Sequence, residues 1–359
     1  MKKILICTGG TGGHIFPAIS LAEYLEQQNF HIDVITDYRA KKFINNINLK
    51  KIHFINVKTP TGKNGLQLIY SIFLIFFSFV YSIFFILFNR PNLIIGSGGY
   101  ASFAVLLAAR LLNKKFVIYE TNSVVGRVNK FFLKSATKVF TGYPLKDLNI
   151  DNKKIAFVGQ LIRQQIYAAK NTEKYKQNND FDFTILVVGG SQGAEIFSRV
   201  LPQSLNKLLS INSKLRIFHQ SGNKQQEAML DSTYKNNSNV SIFNFEPNIE
   251  NYMIQSDLVI TRAGSSTLSE LTYLQIPFIA VPLKDSLDNH QFHNANYFFK
   301  MKACWLIEQQ DLNSEKLFDL IKELILNKEK LLEKKTKLKE LSKTNVNEIF
   351  EKEISNILL

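Results

Sequence analysis

Residues 3–28 read KILICTGGTGGHIFPAISLAEYLEQQ. KILIC (3–7) is an apolar run of strand length, GGTGGH (9–14) is a glycine-rich turn, and IFPAISLAEYLEQQ (15–28) carries apolar residues at helical spacing. A strand, a turn and a helix in succession make half of a βα crossover. Working outward, further short apolar runs follow at IDVIT (32–36), IHFINV (52–57), NLIIG (92–96), FVIY (116–119), KVFT (138–141) and IAFV (155–158). They resume at TILVV (184–188), LRIFH (215–219), DLVIT (257–261) and FIAV (278–281), with helical stretches between them such as EIFSRVLPQSLNKLL (195–209) and SSTLSELTYLQ (265–275). This alternation predicts parallel sheets covered by helices on both faces. The polar stretch AAKNTEKYKQNNDFD (168–182) precedes the restart at TILVV, so the chain reads as two doubly wound domains joined near residues 158–165. At 359 residues each domain has enough chain to bury a core of its own.

The strand–turn–helix unit occurs three times, with turns at Gly9–His14, Gly96–Tyr100 (GSGGY) and Gly189–Ala194 (GGSQGA). Glycine lets a backbone approach closely, and the N–H groups of the following helix start, aided by its dipole, face outward to an anion. One such turn needs glycine for geometry alone, but three in one chain point to several phosphate groups. No Gly-Lys-Ser/Thr follows any of them, which excludes a nucleotide-triphosphatase P-loop. GSGGYA does fit a dinucleotide fingerprint, with Glu120 about 20 residues on, where a ribose-binding acid belongs. That turn follows an internal strand, however, and one dinucleotide leaves two turns unexplained. Two phosphorylated substrates brought together across a cleft account for the set.

The net charge is +14, and it is lopsided: residues 1–160 hold 20 Lys+Arg against 7 Asp+Glu, the remainder 24 against 23. A chain rich in Lys through base composition alone would be basic in both halves alike. The asymmetry points to an anionic partner of the first half, with nucleic acid, anionic lipid and phosphate substrates all qualifying. The same half contains LQLIYSIFLIFFSFVYSIFFILF (66–88), uncharged throughout and long enough to cross a bilayer. Strand-like runs flank it on both sides, and a spanning helix would separate adjacent strands of one sheet. Three readings compete: a spanning helix, which this separation disfavours, a buried core helix, and a helix at the membrane interface, which is favoured. Two distant cysteines, Cys7 and Cys304, exclude a disulfide framework and a cysteine-rich zinc site. The start, MKKILIC, has too short an apolar run for a signal sequence and reads as the first strand of a cytoplasmic protein. From Asn313 to Lys343, Leu317, Leu320, Ile321 and Leu324 predict one solvated amphipathic helix, and IFEKEISNILL (349–359) crosses back to the first domain.

GGTGGHIFPA (9–18), GSGGY (96–100), GGSQGA (189–194), HQSG (219–222), TRAGSSTLSEL (261–271) and DNHQFHNA (288–295), six motifs in order over nearly the full length, resemble the MurG family of peptidoglycan glycosyltransferases, in glycosyltransferase family 28. The resemblance implies an α/β glycosyltransferase B fold, two doubly wound Rossmann-like domains facing a cleft. Residues 1–160 would bind acceptor and membrane, with a C-terminal helix 344–359 packing back on them, and 161–343 would bind the donor. The implied reaction is inverting transfer of N-acetylglucosamine from UDP-N-acetylglucosamine to the 4-hydroxyl of lipid I, undecaprenyl-pyrophosphoryl-N-acetylmuramyl pentapeptide, giving lipid II in cell-wall synthesis. The implied partners are those two substrates and the anionic cytoplasmic face of the bacterial plasma membrane, with no nucleic acid.

Carried over by residue, the resemblance gives the UDP phosphates to Ser191, Gln192 and Gly193, the ribose hydroxyls to Glu270, and uracil to the backbone near Glu246. Arg262, Ser265, His290, Gln291 and Asn294 would surround the diphosphate and sugar, although family members often carry Gln where His290 stands. Thr11, Gly12, Gly13, Asn122 and Arg163 would complete the donor side. Gly10, His14, Gly98, Gly99, Tyr100 and Asn129 would hold the acceptor, with Lys58, Lys63, Arg90 and Arg127 at the membrane. His14 is the candidate general base, since an unperturbed imidazole suits proton removal at neutral pH, with Glu120 in reserve. No residue cluster has metal-ligand spacing and no cofactor is implied, so amides, helix dipole and Arg262 would stabilise the leaving group. Three rivals share these features: a cytosolic epimerase or hydrolase of UDP-N-acetylglucosamine, an oxidoreductase using GSGGYA and Glu120, and a non-catalytic nucleotide-sugar-binding membrane subunit.

Overall fold

The computed structural model describes residues 2–10, 12–44, 49, 51–145, 148–170, 180–190 and 193–359. The chain forms two compact units, one of residues 1–163 with 345–359, the other of residues 164–344.

In the first unit seven strands form one parallel sheet: β1 (Lys3–Cys7), β2 (His31–Asp37), β3 (Ile52–Ile55), β4 (Leu93–Gly96), β5 (Phe116–Glu120), β6 (Lys138–Thr141) and β7 (Ile155–Phe157). Their order is β3-β2-β1-β4-β5-β6-β7. The chain therefore builds outward from β1 in one direction, then returns to its other side, with Cys7 opposite both Ile35 and Gly96. Such a reversal opens a crevice at the carboxyl ends of the two central strands. The turns at Gly9–His14 and Gly96–Tyr100 leave β1 and β4 there.

Alternation along β1 sorts its side chains. Ile4 and Ile6 join a core with helix Gly12–Gln27, while Leu5 and Cys7 join one with helix Gly99–Leu111. Pro17 lies inside helix Gly12–Gln27 and cannot donate to the Gly13 carbonyl. The Thr121 hydroxyl does so instead, at 3.4 Å. The C-terminal helix Val346–Leu358 covers the same face as Ile4. Phe350 sits edge-on to Tyr119 and Phe140 at 4.9 and 5.3 Å between ring centres. Burial of Phe350, Ile354 and Ile357 contributes on the order of 2 kcal/mol each.

The long apolar segment forms helix Gly65–Asn89, which packs mainly on helix Gly99–Leu111. Its serines face inward: Ser71, Ser78 and Ser82 are buried, and Ser78 donates to the Asn56 carbonyl at 3.1 Å. Most of its aromatic residues face outward, with Phe73, Phe76, Phe77 and Phe84 each about half exposed, while Phe85 is buried and Phe79 packs against the core. A plain core helix would show the reverse arrangement.

The second unit repeats the plan with six parallel strands, β8 (Phe183–Val188), β9 (Leu215–Gln220), β10 (Val240–Phe243), β11 (Leu258–Thr261), β12 (Phe278–Ala280) and β13 (Trp305–Leu306), in the order β10-β9-β8-β11-β12-β13. Here the reversal lies between β8 and β11, where Val188 stands opposite Thr261. Two short strands, β10 and β13, escape the apolar-run reading because each is brief and only partly buried. The expected single helix after Asn313 is two, Ser314–Leu326 and Lys328–Leu341, divided at Asn327. Asn327 ends the first with extended φ and caps the second by accepting from the Glu329 N–H at 3.2 Å.

Candidate functional site

In the first unit the two glycine turns touch. A Cβ on Gly99, whose φ is +80°, would collide with the Gly9 backbone, so neither turn can approach the other with side chains present. The His14 ring lies against Gly98, where a Cβ would stand 3.0 Å from Cε1 and 3.1 Å from Nδ1. From beneath, the His14 carbonyl accepts hydroxyls of Thr8 at 3.0 Å and Ser97 at 3.3 Å. Gly10, His14, Gly98 and Gly99 therefore form one surface. Gly12 and Gly13 open helix Gly12–Gln27, whose first-turn amides have no intrahelical acceptor. The Gly10 amide departs from the expectation of free phosphate donors: it donates to Oδ2 of buried Asp37 at 2.9 Å. Thr11 lies outside the described residues.

Glu120 ends β5 fully buried and organises the adjoining loop. Its Oε1 accepts from Asn122 N at 2.9 Å and Nδ2 at 3.1 Å, and its Oε2 from Gly126 N at 2.9 Å and Asn129 Nδ2 at 2.8 Å. A carboxylate so enclosed is neither a ribose ligand nor a base open to substrate, which removes the reserve role and the oxidoreductase fingerprint. Asn122 is half-buried and Asn129 buried. Asn129 Oδ1 has no partner among the described residues. The Tyr100 hydroxyl is 2.8 Å from that of Thr61, which ties the second turn to the loop before helix Gly65–Asn89. Arg163 stacks over Phe16 at 5.3 Å. Lys58, Arg90 and Arg127 are exposed, and Lys63 reaches Ser71 Oγ at 3.4 Å.

In the second unit the turn after β8 packs on the HQSG segment. Gly193, at φ +70°, would drive a Cβ into the Gly222 backbone. As with Gly10, the entering amide is engaged, Gly189 N donating to Gln220 Oε1 at 2.9 Å. Both cases share a cause: in a turn this tight an N–H near its start points into the fold and needs an internal acceptor. Ser191 and Gln192 lie outside the described residues. His219 in HQSG is a core residue, with Nδ1 2.8 Å from the Tyr234 hydroxyl and its pKa pushed down by burial to about 3.

The turn after β11 is held by helix His290–Lys300. Gln291 Oε1 accepts from Ala263 N at 3.3 Å and Leu283 N at 3.0 Å, and Asn294 Nδ2 donates to Ala263 O at 3.2 Å. Asn294 thus ties the turn down from the helix interior and does not cap the helix. Two consecutive left-handed residues, Asp288 and Asn289 at φ +53° and +52°, turn the chain into this helix. His290 Nδ1 is 2.7 Å from the Leu287 carbonyl. Arg262 is buried, donates from Nη1 to the Val281 and Pro282 carbonyls at 3.2 and 3.3 Å, and stacks on Phe197. Burial lowers its pKa to about 10, so it stays cationic at neutral pH. Ser265 starts helix Ser265–Leu274, which also carries buried Glu270. Glu246 sits apart in its own turn, accepting from Asn248 N at 2.9 Å.

Asp37, Arg39 and Thr121 were not legible as partners of the glycine turns, and Gln220 entered only as part of the HQSG motif. The available signal was an acid ending the strand beside β1, in TDYR (36–39), with an arginine two residues on.

Residues 4–141 match the model of the glycosyltransferase family 28 N-terminal domain, and residues 184–349 that of the family 28 C-terminal domain. A curated protein of Pelagibacter ubique, named UDP-N-acetylglucosamine--N-acetylmuramyl-(pentapeptide) pyrophosphoryl-undecaprenol N-acetylglucosamine transferase, is 38% identical, with 96% of this chain and 95% of the relative covered. The crystal structure of Acinetobacter baumannii MurG superposes with a TM-score of 0.76 at 26% identity, covering 99% of this chain and 100% of that one. The UDP-GlcNAc 2-epimerase of Neisseria meningitidis reaches a TM-score of 0.72 at 13% identity, covering 99% and 100%, and shares the fold alone.

Proposed function

The chain belongs to glycosyltransferase family 28, and from that membership we propose that it transfers N-acetylglucosamine from UDP-N-acetylglucosamine to lipid I, forming lipid II. Near-full-length likeness to a transferase of that name carries the reading, and it separates this chain from the epimerase, with which it shares only architecture.

The acceptor 4-hydroxyl attacks the anomeric carbon, a new C–O bond forms, and UDP leaves from the opposite face. His14, seated on Gly98, takes the hydroxyl proton. Acceptor pyrophosphate binds at Gly98, Gly99 and Tyr100, with Asn129 beside them, and Gly10, whose N–H is held by Asp37, contributes close approach of its backbone and no hydrogen bond. Gly12, Gly13, Asn122 and Arg163 serve the donor from the first unit. In the second unit Ser191, Gln192 and Gly193 take the UDP phosphates, Glu270 the ribose, and the backbone at Glu246 the base. Ser265, His290, Gln291 and Asn294 shape the sugar pocket. Gln291 uses Oε1 to hold the β11 turn, so its Nε2 is the group offered to a sugar hydroxyl. Arg262, pinned by two carbonyls, supplies a fixed positive charge for the departing diphosphate.

The outward aromatic face of helix Gly65–Asn89 enters the interface of the plasma membrane on its cytoplasmic side, and Lys58, Lys63, Arg90 and Arg127 hold the anionic surface. The inward serines support this reading, because they leave most of the aromatic side chains for a partner outside the unit.

Labelled UDP-N-acetylglucosamine and lipid I, given to the purified chain in detergent with chelator, should yield labelled lipid II. A folded sample that binds UDP yet makes no product overturns the reading.

A further inference from the structure

We infer that Arg39 is a pyrophosphate-binding residue of the acceptor half-site, held in place by Asp37; the inference rests on the reading above and adds a residue to it. Asp37 ends β2, the strand next to β1, and its side chain is 1% exposed. Its Oδ2 accepts two donors, the Gly10 N–H at 2.9 Å and Arg39 Nη2 at 2.7 Å. Its Oδ1 accepts Arg39 N and Nε, both at 2.9 Å. The guanidinium and the first glycine turn therefore meet on one oxygen atom, which fixes the cation beside the turn. The first glycine is part of the same arrangement, since a Cβ on Gly9 would stand 2.6 Å from Asp37 Oδ2.

Charge shows why the pair has to be complete. A buried carboxylate bonded to the turn would repel a phosphate placed there, and the fork of Arg39 cancels that charge at bidentate range. The fork uses Nε and Nη2 and leaves Nη1 with no partner among the described residues, on a side chain 45% exposed. A guanidinium is suited to this double duty, because one edge binds the carboxylate while the other stays open to a second anion; an ammonium has no such fixed edges. A surface ion pair kept only for stability would need neither a buried acid nor a shared turn amide.

The ligand is a pyrophosphate group, which either the lipid-linked acceptor or the nucleotide donor could bring. The test uses the full chain and the variants Arg39→Gln and Arg39→Lys. Inorganic pyrophosphate and UDP are titrated calorimetrically, and KM is measured for each substrate. Arg39→Gln is expected to weaken inorganic pyrophosphate binding and raise the acceptor KM by about tenfold each, the usual scale of a charge-assisted hydrogen bond, while UDP affinity and donor KM stay within about twofold. Arg39→Lys should fall between parent and Gln variant. The inference is overturned if the parent binds no pyrophosphate, if the variants bind it as the parent does, or if donor KM and UDP affinity change instead. A structural lock alone, in which melting temperature, kcat and both KM values decline together while pyrophosphate affinity holds, also overturns it. The pyrophosphate titration needs no turnover, so a parent that binds pyrophosphate but makes no lipid product refutes the reaction and not the residue.

Discussion

Asn129 donates its side-chain amide to Oε2 of Glu120 at 2.8 Å inside the first unit, and Asn122 bonds the other carboxylate oxygen. Glu120→Gln replaces one acceptor with an NH2 facing N–H donors, at an expected cost of about 2 kcal/mol. Turnover should fall at least about tenfold, and adding Asn129→Ala should cost less than the sum of the two single changes, as for partners in one network. Thermal melts and kcat of the two single variants and the double variant check this. Additive losses would mean that the two residues act separately.

His14→Ala removes the group placed against Gly98. The loss should appear in kcat, by about 10²–10⁴ if His14 is the general base, with UDP affinity almost unchanged. Steady-state kinetics beside UDP calorimetry separates this from a donor-binding role, which would move affinity instead.

Two glycines of one turn should respond differently to alanine. Gly190, at φ +83°, has no described residue within 4 Å of where a Cβ would stand, so Gly190→Ala is expected to carry mainly backbone strain of about 1 kcal/mol. Gly193→Ala adds a collision with the Gly222 backbone, and UDP binding should weaken by at least about tenfold. Calorimetry on the two variants reads the difference.

The two faces of helix Gly65–Asn89 should behave oppositely. Replacing Phe73, Phe76 and Phe84 with serine removes exposed aromatic area. It should cut binding to anionic vesicles by at least about tenfold while the melting temperature holds or rises. Ser78→Leu instead overfills a buried position and loses the bond to the Asn56 carbonyl, for about 1–3 kcal/mol of stability. Vesicle sedimentation and thermal melts test both arms.

Acid should weaken the second unit through His219. Its pKa falls from 6.5 to about 3 on folding, so below pH 6.5 the unfolded chain binds the extra proton. Stability is then lost as pH drops from 6.5 toward 3, by up to about 1.4 kcal/mol per pH unit from this group. Trp305, the only tryptophan, lies on β13 of the same unit and reports its unfolding in urea. His219→Gln should flatten the dependence between pH 7 and 5.

Much of the architecture was legible because it is written locally. Runs such as KILIC and TILVV, each followed by glycines and a helical stretch, depend on neighbours a few residues apart, and the strands appear within a residue or two of those runs. The glycine turns fall at the two reversals of strand order because such turns close βα units wherever the sheet forms. Length and lack of charge marked residues 66–88 as apolar, but could not say which face points outward.

Side-chain roles were less legible, because they depend on partners far along the chain. Glu120 has the spacing of a ribose acid, yet the fold encloses it within its own loop. Gln291 and Asn294 looked like sugar ligands, and both also hold the Ala263 turn from another helix. Gly10 looked like a free phosphate donor until Asp37, 27 residues on, took its N–H. Sequence by itself determined the two α/β units, their glycine turns and the family motifs, since periodicity and glycine content act over one or two turns of chain. Only the tertiary structure decided which amides, carboxylates and serines face inward, since a buried polar atom must find an acceptor or donor wherever the fold brings one within reach.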